Sequence, residues 1–138
     1  MNTIFSKHIK SLRETDSLID QMLPYLKSGI SLGLCGDLGA GKTTFTKMLV
    51  KKLGSEDEVS SPTYVLQHEY RINDLLIEHW DLYRLKSLPN ELNEPQAPGT
   101  LRIIEWADKF PELLETINML LKIEVLDHDH RVFHFLTK

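Results

Sequence analysis

Hydrophobic side chains recur at helical spacing in residues 16–28, the first regular pattern of the chain. One face of this segment carries Leu18, Ile19, Met22, Leu23 and Leu26. Such a stripe is typical of an amphipathic helix that packs on a core. We expect Thr15 or Asp16 to supply the N-cap oxygen and Gly29 to end the helix. Pro24 lies inside the pattern and is expected to bend the helix.

A second helical pattern follows a short apolar strand. Residues 30–35 alternate large and small side chains, which predicts a strand with one bulky face. Residues 36–41 form a glycine-rich turn, and a helix is expected from there to Leu53, with Gly54 after its last residue. The predicted core face of this helix consists of Phe45, Met48, Leu49 and Leu53.

Two hairpins are predicted in the second half of the chain. Side chains alternate in residues 64–70 and again in 75–82, and Asn73-Asp74 between them is a typical turn pair. Residues 122–126 and 131–136 repeat this arrangement near the C-terminus. These four segments therefore predict antiparallel strand pairs.

The remaining segments are shorter and less regular. Residues 3–10 alternate loosely and predict an edge strand, and residues 101–104 are a short apolar strand. Residues 111–121 have an apolar pattern that we interpret as a helix. Residues 87–100 contain three prolines and a glycine, so we expect the least regular structure there and a mobile loop.

Composition narrows the class of protein. The chain has 138 residues, close to the length of about 150 that is typical of one domain. Its net charge is −4, which argues against direct binding of a nucleic-acid backbone. Cys35 is the only cysteine, as expected in a reducing compartment. No apolar run is long enough to span a membrane, and residues 1–12 carry Lys7, His8 and Lys10 where a secretory signal would need an apolar run. We therefore expect a cytoplasmic protein with no membrane contact.

The glycine-rich turn carries the strongest chemical signal. Residues 36–43 read Gly-Asp-Leu-Gly-Ala-Gly-Lys-Thr and match the P-loop pattern G-x-x-x-x-G-K-[ST]. In a P-loop, backbone N–H groups and the N-terminus of the following helix bind phosphate oxygens. Lys42 is then expected to reach the β- and γ-phosphates of a nucleotide, and the Thr43 hydroxyl to bind Mg²⁺. The strand before the turn and the helix after it are the context that this motif requires.

A carboxylate is also needed to hold the metal, and two residues compete for that role. Asp81 follows residues 77–80, a poor apolar run, whereas Glu105 follows the better run 101–104. The pattern alone does not rank them. The chain lacks the N-K-x-D segment of guanine-specific proteins, which favours ATP.

Four blocks of the sequence resemble the TsaE (YjeE) family. They are the P-loop with its Asp-Leu pair at residues 36–45, Ser-Pro-Thr at 61–63, His-Trp-Asp-Leu-Tyr-Arg-Leu at 79–85 and Ile-Glu-Trp at 104–106. The blocks occur in the family's order at near-family spacing, over about residues 15–135. Trp80 replaces the family's usual Phe, and residues 90–100 are proline-rich where the family usually has an acidic segment.

The resemblance implies a fold and a function. It implies an α/β fold, a three-layer P-loop NTPase-like sandwich whose mixed sheet has parallel central strands and antiparallel additions, as a single nucleotide-binding domain of residues 1–138. It implies a slow, partner-stimulated ATPase, with ATP and Mg²⁺ as cofactors, that assists formation of threonylcarbamoyladenosine in tRNA. The partners would be the TsaB and TsaD proteins, with tRNA contacted only indirectly.

The resemblance also implies roles for individual residues. The catalytic residues would be Lys42, Asp81 and Glu105. Thr43 and Glu105 would bind the metal directly, whereas Asp81 would bond to a ligand of the metal or position a water molecule. The nucleotide would be bound by Thr15, Gly36, Asp37, Gly39, Ala40, Gly41, Lys42, Thr43, Thr44 and Arg131. Asp37 is hypothesised to orient the attacking water.

Two other functions fit the P-loop. A small-molecule kinase would need an acceptor pocket and a lid, for which residues 87–100 are the candidate. A nucleotide-gated binding switch with little hydrolysis would use Ser61 and Thr63 to report the γ-phosphate. His128, His130 and His134 share one face of a strand, but nothing in the sequence orients them as a metal site.

Overall fold

A computed structural model of the chain describes residues 1–56 and 67–138. Seven strands are present in these residues: β1 (Asn2–Ile9), β2 (Ser31–Cys35), β3 (Gln67–Ile72), β4 (Leu75–Asp81), β5 (Thr100–Glu105), β6 (Met119–Asp127) and β7 (His130–Thr137). The α-helices are α1 (Leu12–Met22), α2 (Lys42–Lys52) and α3 (Pro111–Leu114). Short 3₁₀ turns lie at Leu23–Tyr25, Asn90–Leu92 and Ala107–Lys109.

All seven strands belong to one mixed sheet in the order β1-β7-β6-β2-β5-β4-β3. The four central strands run parallel, because β2 pairs in parallel with both β5 and β6, and β5 pairs in parallel with β4. The outer strands pair antiparallel: β1 with β7, β7 with β6, and β3 with β4. The prediction of a mixed sheet with a parallel centre is therefore confirmed.

The central strand β2 is buried along its whole length. Leu32 and Leu34 belong to one hydrophobic cluster, whereas Cys35 belongs to a second cluster on the other side of the sheet. Burial on both faces is typical of a parallel central strand. It also explains why the residues that alternate with these two leucines have small side chains. β2 ends at Cys35, so the glycine-rich turn leaves the sheet from its centre.

The two faces of the sheet are covered unequally. On one face, α1 and α2 contribute Leu18, Ile19, Phe45 and Leu49 to the larger cluster. The other face is covered by α3, the 3₁₀ turns at Asn90–Leu92 and Ala107–Lys109, and segments next to them. Its helical layer is thin, since α3 has four residues. No helix among the described residues combines the length and the apolar character that crossing a bilayer requires.

Helix α1 begins earlier than the hydrophobic stripe predicted. Its N-cap is Ser11, whose Oγ accepts a hydrogen bond from the Glu14 N–H at 3.2 Å, so the prediction of Thr15 or Asp16 was wrong. The first turn contains one apolar residue, Leu12, which is exposed and lies outside the apolar stripe. The helix ends at Met22, and Pro24 lies in the 3₁₀ turn that follows.

The predicted helix 111–121 is a helix only at its start, and its last three residues belong to a strand. Only Pro111–Leu114 is helical, and β6 begins at Met119. Asn118 Oδ1 accepts hydrogen bonds from the Ser31 N–H at 2.8 Å and from its Oγ at 3.0 Å, which ties this segment to the start of β2. The apolar residues after Asn118 then pair with β2, and this tertiary contact overrides the local helical pattern.

Both predicted hairpins and the edge strand are confirmed in the described residues. β3 and β4 flank a turn at Asn73, which has a φ of 52°, and β6 pairs with β7. β1 is the edge strand of the sheet. The first part of the predicted strand 64–70 lies outside the described residues.

Replacing the N-cap of α1 tests this account of where the helix begins. Ser11→Ala removes the acceptor for the Glu14 N–H, so we expect the free energy of unfolding to fall by about 1 kcal/mol. Ser17→Ala is the matched control within the same helix and should change stability by less than about 0.5 kcal/mol. Urea unfolding followed by circular dichroism measures both, and equal stabilities for the two variants would contradict the assignment.

Candidate functional site

The turn between β2 and α2 requires glycine at two positions for different reasons. A Cβ on Gly36 would lie 2.7 Å from the carbonyl oxygen of Ile123, so no side chain fits there. Gly41 has a φ of +111°, which side-chain-bearing residues rarely adopt. α2 starts directly after Gly41, so its unpaired N–H groups face the turn and attract an anion.

The amine of Lys42 is folded back onto the turn. Its Nζ donates hydrogen bonds to the carbonyl oxygens of Gly36 at 2.6 Å and Asp37 at 2.8 Å. The residue is 5% exposed, and the amine lies 4.2 Å from the centroid of the Trp106 ring, a cation–π contact. Burial lowers the pKa of Lys42 below its usual value, and nearby carboxylates, Glu105 foremost, oppose that effect. The amine is thus a buried donor whose present partners are neutral carbonyl groups.

Glu105 is held by two hydrogen bonds. Thr43 Oγ1 donates to Glu105 Oε1 at 2.9 Å, and His79 Nε2 donates to Glu105 Oε2 at 2.5 Å. Glu105 is 2% exposed and His79 is fully buried. The carboxylate is therefore fixed in orientation, with one oxygen beside the Thr43 hydroxyl.

His79 has an unusual second nitrogen. Nδ1 is the one buried side-chain nitrogen or oxygen of the described residues that has no hydrogen-bond partner. An unpaired buried polar atom costs about 1–3 kcal/mol. We interpret this cost as a sign that the imidazole has a functional role through its other nitrogen, Nε2, which bonds Glu105. His79 was not among the predicted site residues, although it lies in β4 two residues before Asp81 and so near the same end of the strands.

The two competing carboxylates are neighbours. Asp81 and Glu105 are register partners at the ends of the parallel strands β4 and β5. Asp81 Oδ1 accepts a hydrogen bond from the Tyr83 N–H at 3.0 Å. Glu105 accepts the hydrogen bond of the P-loop threonine, so the geometry favours Glu105 over Asp81 as the carboxylate that could hold a metal together with Thr43.

Two cavities flank the turn, and we name each by one residue. The Glu105 cavity, of about 530 Å³, is lined by Leu38, Gly39, Gly41, Lys42, Thr43, Thr44, Asp81, Tyr83, Arg84, Glu105 and Trp106. The Arg131 cavity, of about 350 Å³, is lined by Ile9, Lys10, Ser11, Leu12, Thr15, Gly39, Ala40, Gly41, Thr44, Phe45, Asp129, Arg131 and Phe133. Gly39, Gly41 and Thr44 line both. One elongated ligand can therefore lie across the turn, with one end in each cavity.

Thr15 and Arg131, which are distant in sequence, line the same cavity. Arg131 Nε donates to the carbonyl oxygen of Ala40 at 2.8 Å and so ties β7 to the turn. Thr15 Oγ1 donates to the carbonyl oxygen of Ser11 at 3.3 Å. The structure thus brings both predicted nucleotide contacts to one side of the P-loop.

Not every predicted residue joins the site. The side chain of Asp37 is exposed and lines neither cavity, so the geometry does not support its hypothesised role in orienting water. Ser61 and Thr63 lie outside the described residues. The three C-terminal histidines do not cluster: His130 bonds His8 at 2.8 Å, and His134 bonds Ser6 at 2.8 Å.

Residues 87–100 line neither cavity beside the P-loop, which argues against their use as a lid. The last residues of this segment are anchored where β2 and β5 begin, at the opposite end of these strands from the P-loop. Gln96 Nε2 donates to the carbonyl oxygens of Ile30 at 2.9 Å and Thr100 at 3.0 Å, and the Gly99 N–H donates to Ser28 Oγ at 2.9 Å.

Trp106 follows Glu105 and has a φ of 62°, in the left-handed region. Such a backbone is strained for a bulky residue, and strain of this kind concentrates at functional sites. The indole packs against the Tyr83 ring at 4.8 Å between centroids and covers the Lys42 amine. Trp106 therefore forms a wall of the Glu105 cavity and is only partly buried.

A family model described as Threonylcarbamoyl adenosine biosynthesis protein TsaE matches residues 9–133. The chain is 36% identical over 129 residues to the tRNA threonylcarbamoyladenosine biosynthesis protein TsaE of Rickettsia felis. The aligned region covers 90% of this chain and 75% of that protein. It is 34% identical over 124 residues to the Bacillus subtilis protein of the same name, over 88% of this chain and 78% of that protein.

The fold is also similar to a solved structure. The crystal structure of Bacillus subtilis YdiB superposes with a TM-score of 0.78 at 29% identity, over 96% of this chain and 84% of that chain. The matched region contains the P-loop, both acidic residues and the strands that position them.

The reactivity of Cys35, directly before the P-loop, is a test of the packing beneath the turn. Burial, followed by the charge of Asp108, raises the pKa of the Cys35 thiol to about 12. The folded chain should therefore react with dithionitrobenzoate at about pH 8 at least tenfold more slowly than the urea-unfolded chain, because the thiolate is the reactive species. Absorbance of the released thionitrobenzoate measures both rates, and equal rates would show that the thiol is exposed and ionised.

Proposed function

The chain belongs to the TsaE family of tRNA threonylcarbamoyladenosine biosynthesis proteins, and we propose that it serves this pathway as a Mg²⁺-dependent ATPase. In this proposal the fold is a P-loop NTPase-like sandwich and the chain is an accessory subunit that acts with TsaB and TsaD. The observation that carries the proposal is the hydrogen bond between Thr43 and Glu105, which joins the P-loop to the acidic strand end. It supports a metal-assisted phosphoryl transfer rather than nucleotide binding alone.

The residues of the turn have the chemistry that phosphate binding requires. Backbone N–H groups at the start of α2 face the turn, and Lys42 can exchange two neutral acceptors, the carbonyls of Gly36 and Asp37, for charged phosphate oxygens. Lys42 is buried and lines the Glu105 cavity. Its charge is therefore placed to stabilise negative charge in a low-dielectric site.

The residues beside the turn also fit a magnesium ion. The Thr43 hydroxyl and the Glu105 carboxylate are hard oxygen ligands, already within 2.9 Å of each other. Mg²⁺ bound there would supply neutralisation of the phosphate charges. His79 keeps the second oxygen of Glu105 fixed, so that Oε1 stays directed at Thr43. Asp81, on the neighbouring strand end, is placed to orient water or a metal-bound ligand.

The Arg131 cavity is the place for the nucleoside. Its wall combines apolar side chains from α1 and β7 with the buried hydroxyl of Thr15. An adenine base there would leave the phosphates to the turn and to the Glu105 cavity. Arg131 would hold the turn in shape by its bond to Ala40.

In this proposal, turnover is slow without partners. Of the arginines in the described residues, Arg84 is the one that lines the Glu105 cavity, and it is exposed. The kinase alternative lacks support, because no residue of its candidate lid lines either cavity beside the P-loop. A partner protein that closes the Glu105 cavity would exclude water and complete the charge stabilisation.

Two variants separate binding from turnover. We expect Lys42→Ala to weaken nucleotide affinity at least tenfold, because a buried charge-assisted contact is lost. Glu105→Gln should keep nucleotide affinity within about threefold and lower kcat about 100-fold or more, a loss typical of a missing charged group in a reaction site. Lys47→Ala, at an exposed position of α2, is the control. Calorimetric titration and phosphate release measure the two effects, and a Glu105→Gln variant that hydrolyses ATP normally would disprove the metal assignment.

His79 is expected to act through Glu105. His79→Phe should raise the Mg²⁺ concentration needed for half-maximal turnover about tenfold, whereas His79→Gln, which retains a donor, should recover part of the loss. Mn²⁺ binding measured by electron paramagnetic resonance gives a readout independent of turnover. His68→Gln is the control, because His68 faces His79 across the β3–β4 pair without contacting Glu105. A wild-type metal response in both His79 variants would refute the positioning role.

A further inference from the structure

A third cavity, of about 350 Å³, lies beside the amino ends of the central strands β2 and β5. We call it the Arg102 cavity. Its walls come from the start of these strands, from the segment after α3 and from the proline-rich segment, which contributes Leu92, Asn93, Glu94, Pro95 and Gln96. It is separate from the P-loop, which lies at the carboxyl ends of the same strands. Its volume is in the range of about 300–1,000 Å³ that small-molecule sites occupy.

A largely buried arginine, Arg102, lines this cavity. Arg102 is 8% exposed, and its Nε donates to Glu78 Oε1 at 3.1 Å. Trp80 Nε1 donates to the same oxygen at 3.1 Å, which fixes the carboxylate. Within the described part of the chain, no other acceptor bonds the Arg102 side chain, and neither of its terminal nitrogens is buried without a partner. The terminal N–H groups are therefore open to solvent, and Arg102 is a lining residue of this cavity.

Two amide side chains add one donor group and one acceptor. Asn118 Oδ1 accepts hydrogen bonds from the N–H and the hydroxyl of Ser31, so the NH₂ group of Asn118 remains available to donate to a ligand. Gln96 uses its NH₂ group on two backbone carbonyls, so its Oε1 is left to accept. Glu94 is exposed and adds a negative charge to the lining. Donors thus belong to the strand side of the cavity and acceptors to the loop side.

We propose that the Arg102 cavity binds a small zwitterion of the free α-amino acid class. Its carboxylate would accept hydrogen bonds from Arg102 and Asn118, and its ammonium group would donate to Gln96 Oε1 and Glu94. The side chain of the ligand would pack on Leu92 and Leu113, which also line the cavity. A simple anion satisfies the donors but meets Glu94 unfavourably, and a simple cation does the reverse, so the lining favours a molecule that carries both charges.

Binding at this cavity does not depend on the proposed ATPase activity. The P-loop and Glu105 are at the carboxyl ends of the strands, whereas Ser31 and Thr100 mark the amino ends. The test therefore uses the full chain without nucleotide. Its outcome is independent of whether the chain hydrolyses ATP.

The experiment is a ¹H–¹⁵N correlation titration of the full chain with each free amino acid, and with acetate and methylamine as single-charge probes. We expect at least one amino acid to give saturable shifts at residues 93–102 and 116–118, and at least fivefold tighter binding than acetate. Absence of saturable shifts up to roughly 10 mM for every amino acid would overturn the proposal. Acetate binding as tightly as every amino acid would also overturn it.

Matched variants locate the site. Asn93→Trp places a large side chain at the mouth of the cavity and should abolish the shifts, whereas Asn90→Trp, three residues earlier and outside the lining, should leave them unchanged. Glu94→Gln should weaken binding about two- to fivefold, as expected for an exposed ion pair. Arg102→Gln should weaken it at least tenfold. Because Arg102→Gln leaves Glu78 without its partner, Asn93→Trp decides the outcome if that variant unfolds, and shifts that persist in Asn93→Trp disprove the location.

Discussion

The parallel pairing of β2 with β5 is the constraint on which the site depends. The register sets Leu34 beside Glu105, and the Trp106 N–H donates to the carbonyl oxygen of Leu34 at 2.9 Å. Both strands therefore end at the same edge, and the glycine-rich turn and Glu105 leave the sheet side by side. Thr43, in the first turn of α2, then reaches Glu105 without any rearrangement of the backbone. A shift of this register would separate the P-loop from its carboxylate.

Several buried polar groups are concentrated at this edge, and each is held by its neighbours. Lys42 is stabilised by two carbonyl groups and the face of Trp106, while Glu105 is stabilised by Thr43 and His79. The unpaired His79 Nδ1 and the left-handed Trp106 both cost free energy, of order 1–3 kcal/mol each. The fold tolerates these costs where the chemistry is proposed to occur, as proteins generally do at functional sites. Strain and charge are therefore further signs of the site, independent of the motif.

Much of this arrangement could be predicted from the sequence, because its signals are local. The P-loop pattern needs six successive turn residues and a helix start, and both hairpins follow from alternation and a turn pair. The contacts that join distant segments could not be predicted from pattern. His79 lies in an ordinary strand and meets Glu105 only through the β4–β5 register, and residues 119–121 became a strand because β2 offered a hydrogen-bonding edge. Ser11 was missed as the cap of α1 because the first turn of that helix lies outside its apolar stripe.

The most direct test of the central claim is the rate of Mg²⁺-dependent ATP hydrolysis by the chain, alone and with TsaB and TsaD added, with GTP as the comparison. The account predicts a low rate alone, a rise when both proteins are present, and a preference for ATP. A rate that is unaffected by the two proteins would contradict the accessory-ATPase proposal. It would leave the P-loop as a nucleotide site with a different role.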